Sequence, residues 1–329
     1  MNRPAPIPPH ERLAAALADE MAAVDATIRA RMASENAPRI PQVTAHLLGG
    51  GGKRVRPLLT VASAKLCGYS GADHVKLAAT VEFIHTATLL HDDVVDESKQ
   101  RRGRPTANLL WDNQSSVLVG DYLFARSFQL MVETGSLRVL DILSNAAATI
   151  AEGEVLQLSA ARNLSTTEDT YLAIVRGKTA ALFEAAAEVG GIVAGAPEDH
   201  VTALAAYGDA VGVAFQIVDD WLDYGGAGDG IGKNLGDDLR EGKLTLPVIR
   251  ALARADDAER AFWKAALERG EGDLARARAI LDRHGTLEET RAEALAWRDR
   301  AVAALGRLPD HPLRAMLADL ADYVVARAS

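Results

Sequence analysis

The segment His91-Asp92-Asp93-Val94-Val95-Asp96 gathers three carboxylates at the end of an apolar run, Val81–Val95. The i and i+4 spacing sets Asp92 and Asp96 on one helical face, about 5–6 Å apart. A helix C-terminus carries the negative end of the macrodipole, so these groups repel the backbone as well as each other unless a cation compensates. Oxygen donors of this kind suit Mg2+, which keeps waters and recruits phosphate oxygens as further ligands. Taken alone, one such motif is also compatible with a solvated acidic helix end. Asp219-Asp220-Trp221-Leu222-Asp223 repeats the form at the end of a second long apolar helix. Two of them argue for a shared ion cluster: facing each other across a helical bundle, they would hold several Mg2+ ions around one diphosphate.

Cations follow the same logic. Gly49-Gly50-Gly51-Gly52-Lys53-Arg54-Val55-Arg56-Pro57 is a Gly-rich loop running into a helix, with Pro57 near its first turn. Backbone N–H groups, a helix N-terminus and three cations make an anion cradle. It is not a nucleotide P-loop, because Arg54 stands where Ser or Thr must reach the metal. The alternative is a flexible solvated turn. Lys99-Gln100-Arg101-Arg102-Gly103-Arg104 follows the first acidic motif, and arginine is suited to bidentate phosphate recognition. Lys233 and Lys243 flank a loop after the second motif, placed to close over a bound diphosphate. His85 and His91 lie on the helix leading to Asp92; for His91 the reading is a hydrogen-bonded core histidine.

These side chains need a scaffold, and the pattern around them is helical. Apolar residues recur with a 3.6 period from Glu11 onward, with helices expected at Glu11–Ala33, Pro57–Leu66, Ala72–Val95, Ser116–Glu133, Ser136–Leu158, Thr167–Ala194 and Asp199–Tyr224, and further ones to the end. No run of alternating β-branched residues and no hairpin signature stands out. The expectation is an all-α, single-domain helical bundle around a deep central cavity, over residues 11–329, behind a flexible Pro-rich tail at 1–10. Hydrophobic residues make up 48%, ample for a core, and the net charge of -9 argues against a nucleic-acid partner. The single cysteine, Cys67, excludes an internal disulfide and fits a cytoplasmic location. No uninterrupted apolar stretch reaches membrane-spanning length, while peripheral membrane contact stays open. There is no G-x-S-x-G elbow, zinc spacing or dinucleotide fingerprint.

The phrases GGKRVRP, EFIHTATLLHDDVVDESKQRRGRPT, AEGEVLQL, RGKTAALF and AFQIVDDWLDY together resemble the trans-isoprenyl (polyprenyl) diphosphate synthases, most of all the long-chain octaprenyl and decaprenyl enzymes that make quinone side chains. The resemblance implies the type I isoprenoid synthase fold, a homodimer, and an active site binding three Mg2+ ions with substrate. It implies that Asp92 and Asp96 bind the ions gripping an allylic diphosphate (farnesyl or geranylgeranyl), with Asp219 and Asp223 binding another. Asp93, Asp220 and Lys178 join the catalytic set. Lys53, Arg56, His85 and Arg102 would hold isopentenyl diphosphate; Arg101, Lys178, Thr179, Gln216 and Lys233, with Lys243 nearby, would contact the allylic substrate.

The resemblance also implies a chain-length ruler on the helix before Asp92. Thr88 and Ala87, four and five residues before Asp92, are small, whereas bulky aromatics there mark short-chain enzymes. Ile84 and Val81 lie deeper, with a floor expected from Phe128 or Met131. Two rival readings remain. A terpene cyclase has a second metal motif mixing Asn, Ser or Thr with Glu, and this chain has aspartates. A non-catalytic partner subunit would have lost motif residues, and this chain keeps them.

Overall fold

Helix starts are written into the chain by capping residues. The Asp112 carboxylate accepts the Ser115 N–H at the start of the helix Asn113–Val132, and Thr167 accepts the Thr170 N–H before Glu168–Val175. Asp256 and Glu259 close a reciprocal capping box on the helix Asp257–Arg269. The computed structural model describes residues 7–49, 52–101, 103–225 and 235–326. It is 79% helical with almost no sheet, the all-α type I isoprenoid synthase fold.

The chain forms two compact units: Met1–Ala147 with Leu182–Ala205 and Arg307–Asp319, and Ala148–Ala181 with Ala206–Gly306 and Leu320–Ser329. In the first, the helix Asp73–Val95 packs against Ala18–Met32, Val55–Leu66 and Asn113–Val132, burying Leu77, Val81, Phe83, Ile84 and Leu90. Gly190 lets its own helix approach Val55–Leu66 closely, since a Cβ there would lie 2.5 Å from the Thr60 carbonyl oxygen. In the second, Trp263, Tyr207 and Tyr224 are wholly buried. Gly153 and Gly177 meet backbone to backbone, and a Cβ on Gly153 would come within 2.6 Å of the Lys178 nitrogen.

Several expectations need correction. The first expected helix, Glu11–Ala33, is two helices, Pro9–Ala16 and Ala18–Met32, broken at Leu17, whose φ of -121° leaves the helical region while its side chain stays in the core. Helix thus begins inside the expected tail, whose first six residues lie outside the described ones. The expected helix Thr167–Ala194 contains a π-turn, Arg176–Ala180. A helix over Arg39–Leu48 is hidden in the sequence because two prolines, Pro38 and Pro41, suggest a break; Pro38 precedes the helix and Pro41 falls in its first turn, where proline is tolerated. There is also a ribbon, Gln100–Arg101 paired antiparallel with Arg104–Pro105, too short to show alternation; Gly103, with φ +72°, supplies the turn. By mean hydropathy (1.5), the helix Glu198–Gly225 is long and apolar enough to cross a membrane, the one such helix among the described residues. Its window is 67% buried, as a core helix requires.

Candidate active site

The first acidic motif ends the helix Asp73–Val95, with Asp96 as its C-cap residue donating its N–H to the Asp92 carbonyl. Asp92 and Asp96 are half-buried, as their shared face requires, while Asp93 is fully buried. Arg101 reaches back from the ribbon to the Asp93 carboxylate, with Nε at 2.9 Å and Nη2 at 2.8 Å from Oδ1. Burial pushes the Asp93 carboxyl above the usual carboxylate range; Asp96 adds to the shift and the Arg101 guanidinium opposes it. Arg101 therefore serves the middle aspartate, a contact that spacing alone does not reveal. Glu97, just past the motif, holds a left-handed φ of +50°, strain of the kind found at functional sites. His91 bonds the Val117 carbonyl at 3.1 Å and lies against Gly120, where any Cβ would collide with its ring.

Among the cradle residues, Arg54 opens the helix Val55–Leu66 in the left-handed region (φ +49°). Its guanidinium turns to Glu82 (3.3 Å) and Asp25 (3.4 Å). This corrects the three-cation cradle: Arg54 neutralises two carboxylates, one of them buried, and is not set out for an anion. Lys53 is exposed. Arg56 stacks 4.3 Å above the Phe183 ring, and its Nη1 lies 3.3 Å from the His85 Nε2. Arg56 and His85 are thus brought together. Arg102 lies outside the described residues. Arg104 binds the His46 carbonyl at 3.0 Å and its ring at 3.2 Å, which ties the ribbon to the helix Arg39–Leu48.

On the ruler face Ala87 and Ile84 are fully buried, and Thr88 is half-buried with its hydroxyl donated to the His85 carbonyl. Met131 is buried, but Phe128 is 43% exposed. Phe128 therefore is not a floor inside this unit. The helical period puts it with Val117, Ala125 and Val132 on the outward face, opposite Leu123, Ser127 and Leu130.

The second unit carries its own constellation. Asp220 is buried, and its carboxylate accepts from two side chains: Tyr171 Oη at 2.6 Å on Oδ2 and Gln216 Nε2 at 2.8 Å on Oδ1. Thr179 donates its hydroxyl to Gln216 Oε1 at 2.9 Å. Lys178 pairs with Glu154 at 2.9 Å, an approach that the Gly153–Gly177 contact allows. Asp219 is half-buried. Both Asp223 oxygens accept backbone N–H groups, from Asp237 at 3.1 Å and Asp238 at 3.2 Å, at the start of the short helix Asp237–Glu241. Lys243 follows that helix and pairs with Glu241. Lys233 lies outside the described residues. Tyr171 and Glu154 are not among the residues expected from sequence. The phrase AEGEVLQL contains Glu154, but nothing in a helical period marks Tyr171.

The donor set fits Mg2+: the hard carboxylate oxygens of Asp92, Asp96, Asp219 and Asp223. Among the described residues no three His, Cys, Asp or Glu side chains gather as a ready cage.

An all-α scaffold bearing two aspartate-rich helix ends defines an isoprenoid synthase of the type I fold. The polyprenyl synthetase family model matches residues 37–283, and the chain belongs to that family. It is 46% identical over 319 residues to the octaprenyl diphosphate synthase of Escherichia coli (strain K12), covering 96% of this chain and 98% of that protein. The crystal structure of a decaprenyl diphosphate synthase from Rhodobacter capsulatus is 70% identical, with a TM-score of 0.95 over 97% of this chain and 99% of that one. The polyprenyl synthase of Caulobacter crescentus CB15, solved with calcium and isoprenyl diphosphate, is 48% identical with a TM-score of 0.92 over the whole of both chains. The family is Mg2+-dependent and uses isopentenyl and allylic diphosphates.

Removing Arg101 strands the buried Asp93 carboxylate. Arg101→Ala is expected to lower the unfolding free energy in urea by about 3 kcal/mol, with Arg101→Lys in between. A loss below about 1 kcal/mol, the range of a surface pair, would show that Asp93 does not depend on this partner.

Proposed function

We propose that the protein is a Mg2+-dependent trans-prenyltransferase that adds isopentenyl diphosphate head-to-tail to an allylic diphosphate, repeatedly, to give an octaprenyl or decaprenyl chain for a quinone. One observation carries this reading: the two acidic helix ends are built alike. In each, the middle carboxylate is buried and tied to a protein donor, while the aspartate before it is half-buried. Such construction spends hydrogen bonds on orienting a ligand set, which a merely solvated helix end does not need. The relatives named for octaprenyl and decaprenyl products support the long chain.

In this reading Asp92 and Asp96 grip ions on the allylic diphosphate, and Asp219 and Asp223 another, three in all with substrate bound. The ions supply charge neutralisation for the departing diphosphate. Lys178, poised by Glu154, and Arg101 add positive charge where the leaving oxygens develop theirs. Arg56 and His85, with Lys53 and Arg102, hold isopentenyl diphosphate; Lys233 and Lys243 close over the diphosphate. The allylic C–O bond breaks, the double bond of isopentenyl diphosphate attacks the cation, and the new cation loses its proton to the released diphosphate. No protein base is required, and apolar walls keep water from quenching the cation. The growing tail runs along the helix before Asp92, past Thr88, Ala87 and Ile84. The lone thiol, Cys67, which is free, suits a cytoplasmic enzyme. The exposed stripe Val117, Leu118, Ala125, Phe128 and Val132 on Asn113–Val132 is of the kind a second copy covers, which supports a homodimer.

Asp92→Ala and Asp219→Ala should each cut turnover on farnesyl and isopentenyl diphosphates by orders of magnitude, with helical circular dichroism unchanged. Near-normal turnover of both in chelator-treated buffer would sink the metal assignment. Ala87→Phe is expected to shorten the product, read by mass, to about three or four isoprene units, one unit being roughly one 5.4 Å helical turn. A folded, active variant with wild-type products would dismiss the ruler. Sedimentation equilibrium should return twice the 35.0 kDa chain mass, and Phe128→Glu should return the single chain; a wild-type monomer rules out the dimer.

A further inference from the structure

We infer that Tyr171 is a positioning residue for the second aspartate-rich motif: its buried hydroxyl, held to Asp220, fixes the rotation of the helix end that presents Asp219. The inference rests on the metal-binding role proposed for that motif. Tyr171 is 3% exposed and Asp220 4%, so their 2.6 Å hydrogen bond is shielded from water. Burial and the adjacent Asp220 carboxylate both raise the Tyr171 phenol well above its ordinary range. The phenol therefore stays protonated and donates, as a carboxylate partner requires.

The topology of the contact decides its role. Gln216 also donates to Asp220, but the two are i and i+4 on the same helix, Glu198–Gly225. That bond orients the carboxylate and cannot fix the helix against a neighbour. Tyr171 belongs to a different helix, Glu168–Val175, so its bond couples Asp220 to another element. Thr179 adds a second link through Gln216 Oε1. Tyr171 and Thr179 stand eight positions apart, a spacing that in a regular helix of about 100° per residue turns them some 80° apart. The π-turn at Arg176–Ala180 takes up one extra residue between them, which brings both onto one face. They then meet Asp220 and Gln216, themselves one turn apart. Asp219 adjoins Asp220, about 100° further round the helix, so any slip of Asp220 rotates Asp219 by the same angle.

Tyr171→Phe removes only the hydroxyl. Binding of Mn2+ in the presence of inorganic diphosphate, followed by electron paramagnetic resonance, should weaken about tenfold, as is usual for groups that orient metal ligands. The KM for farnesyl diphosphate should rise while that for isopentenyl diphosphate stays within twofold. Asp220→Asn should weaken Mn2+ binding comparably, and adding Tyr171→Phe to it should change nothing further, because the hydroxyl acts through that carboxylate. Wild-type Mn2+ affinity in folded Tyr171→Phe, or additive losses in the double variant, would overturn the inference. So would loss of the helical circular dichroism signal in Tyr171→Phe, which would make the hydroxyl a folding element. If the Mn2+ effect is seen yet the wild-type protein makes no prenyl product, the tether stands and the prenyltransferase reading fails. If the wild-type protein makes prenyl product while Mn2+ binding is unaltered in Tyr171→Phe, the prenyltransferase reading stands and the tether fails.

Discussion

Carboxylates gathered at a helix C-terminus repel one another and face the negative end of the backbone dipole, and much of this structure answers that cost. In each motif the middle aspartate is taken out of solvent and given a donor of its own: Arg101 for Asp93, and Tyr171 with Gln216 for Asp220. The two solutions differ physically. Arg101 brings a full charge to a wholly buried carboxylate, so that pair stands or falls together. Asp220 receives two neutral donors, Tyr171 and Gln216, which orient its carboxylate.

Close backbone approach lets these donors arrive. Without a Cβ at Gly153 and Gly177 the two helices come near enough for Lys178 to reach Glu154. The π-turn beside them shifts the helical phase so that Lys178 and Thr179 leave in different directions, one to Glu154 and one to Gln216. A regular α-helix through Arg176–Ala180 would improve the local hydrogen bonding and misdirect both side chains. Irregularity of this sort is held in place only when surrounding packing over-determines it, and the wholly buried Tyr207 and Tyr224 belong to that same unit.

What can be read in advance divides along physical lines. Paired DDxxD ends, the Gly-rich entry to Val55–Leu66 and the long apolar periods are local, and the helices fall within a few residues of their expected bounds. What escapes depends on partners far along the chain. The side-chain direction of Arg54 is set by Asp25 and Glu82, and the role of Arg101 by the burial of Asp93. The break at Leu17 and the π-turn interrupt runs whose apolar spacing continues through them, because the core demands those side chains whatever the backbone does. Phe128 misleads for the opposite reason: an aromatic residue reads as core by type, and only its phase on Asn113–Val132 sends it outward.

The first and second motifs are therefore alike in sequence and unlike in what holds them. Asp96 caps its helix, and the strained Glu97 follows at once, so the first motif ends in a turn whose geometry is local. Asp223 binds the backbone N–H groups that open Asp237–Glu241, so the second is anchored to a segment more than ten residues on. N–H groups at a helix start are themselves an anion site, and Asp223 occupies this one. A carboxylate committed to that end offers any cation its remaining capacity. Within Asp219–Asp223, then, Asp220 ties the helix to Tyr171, Asp223 fastens the segment that follows, and Asp219 adjoins the first of these anchors.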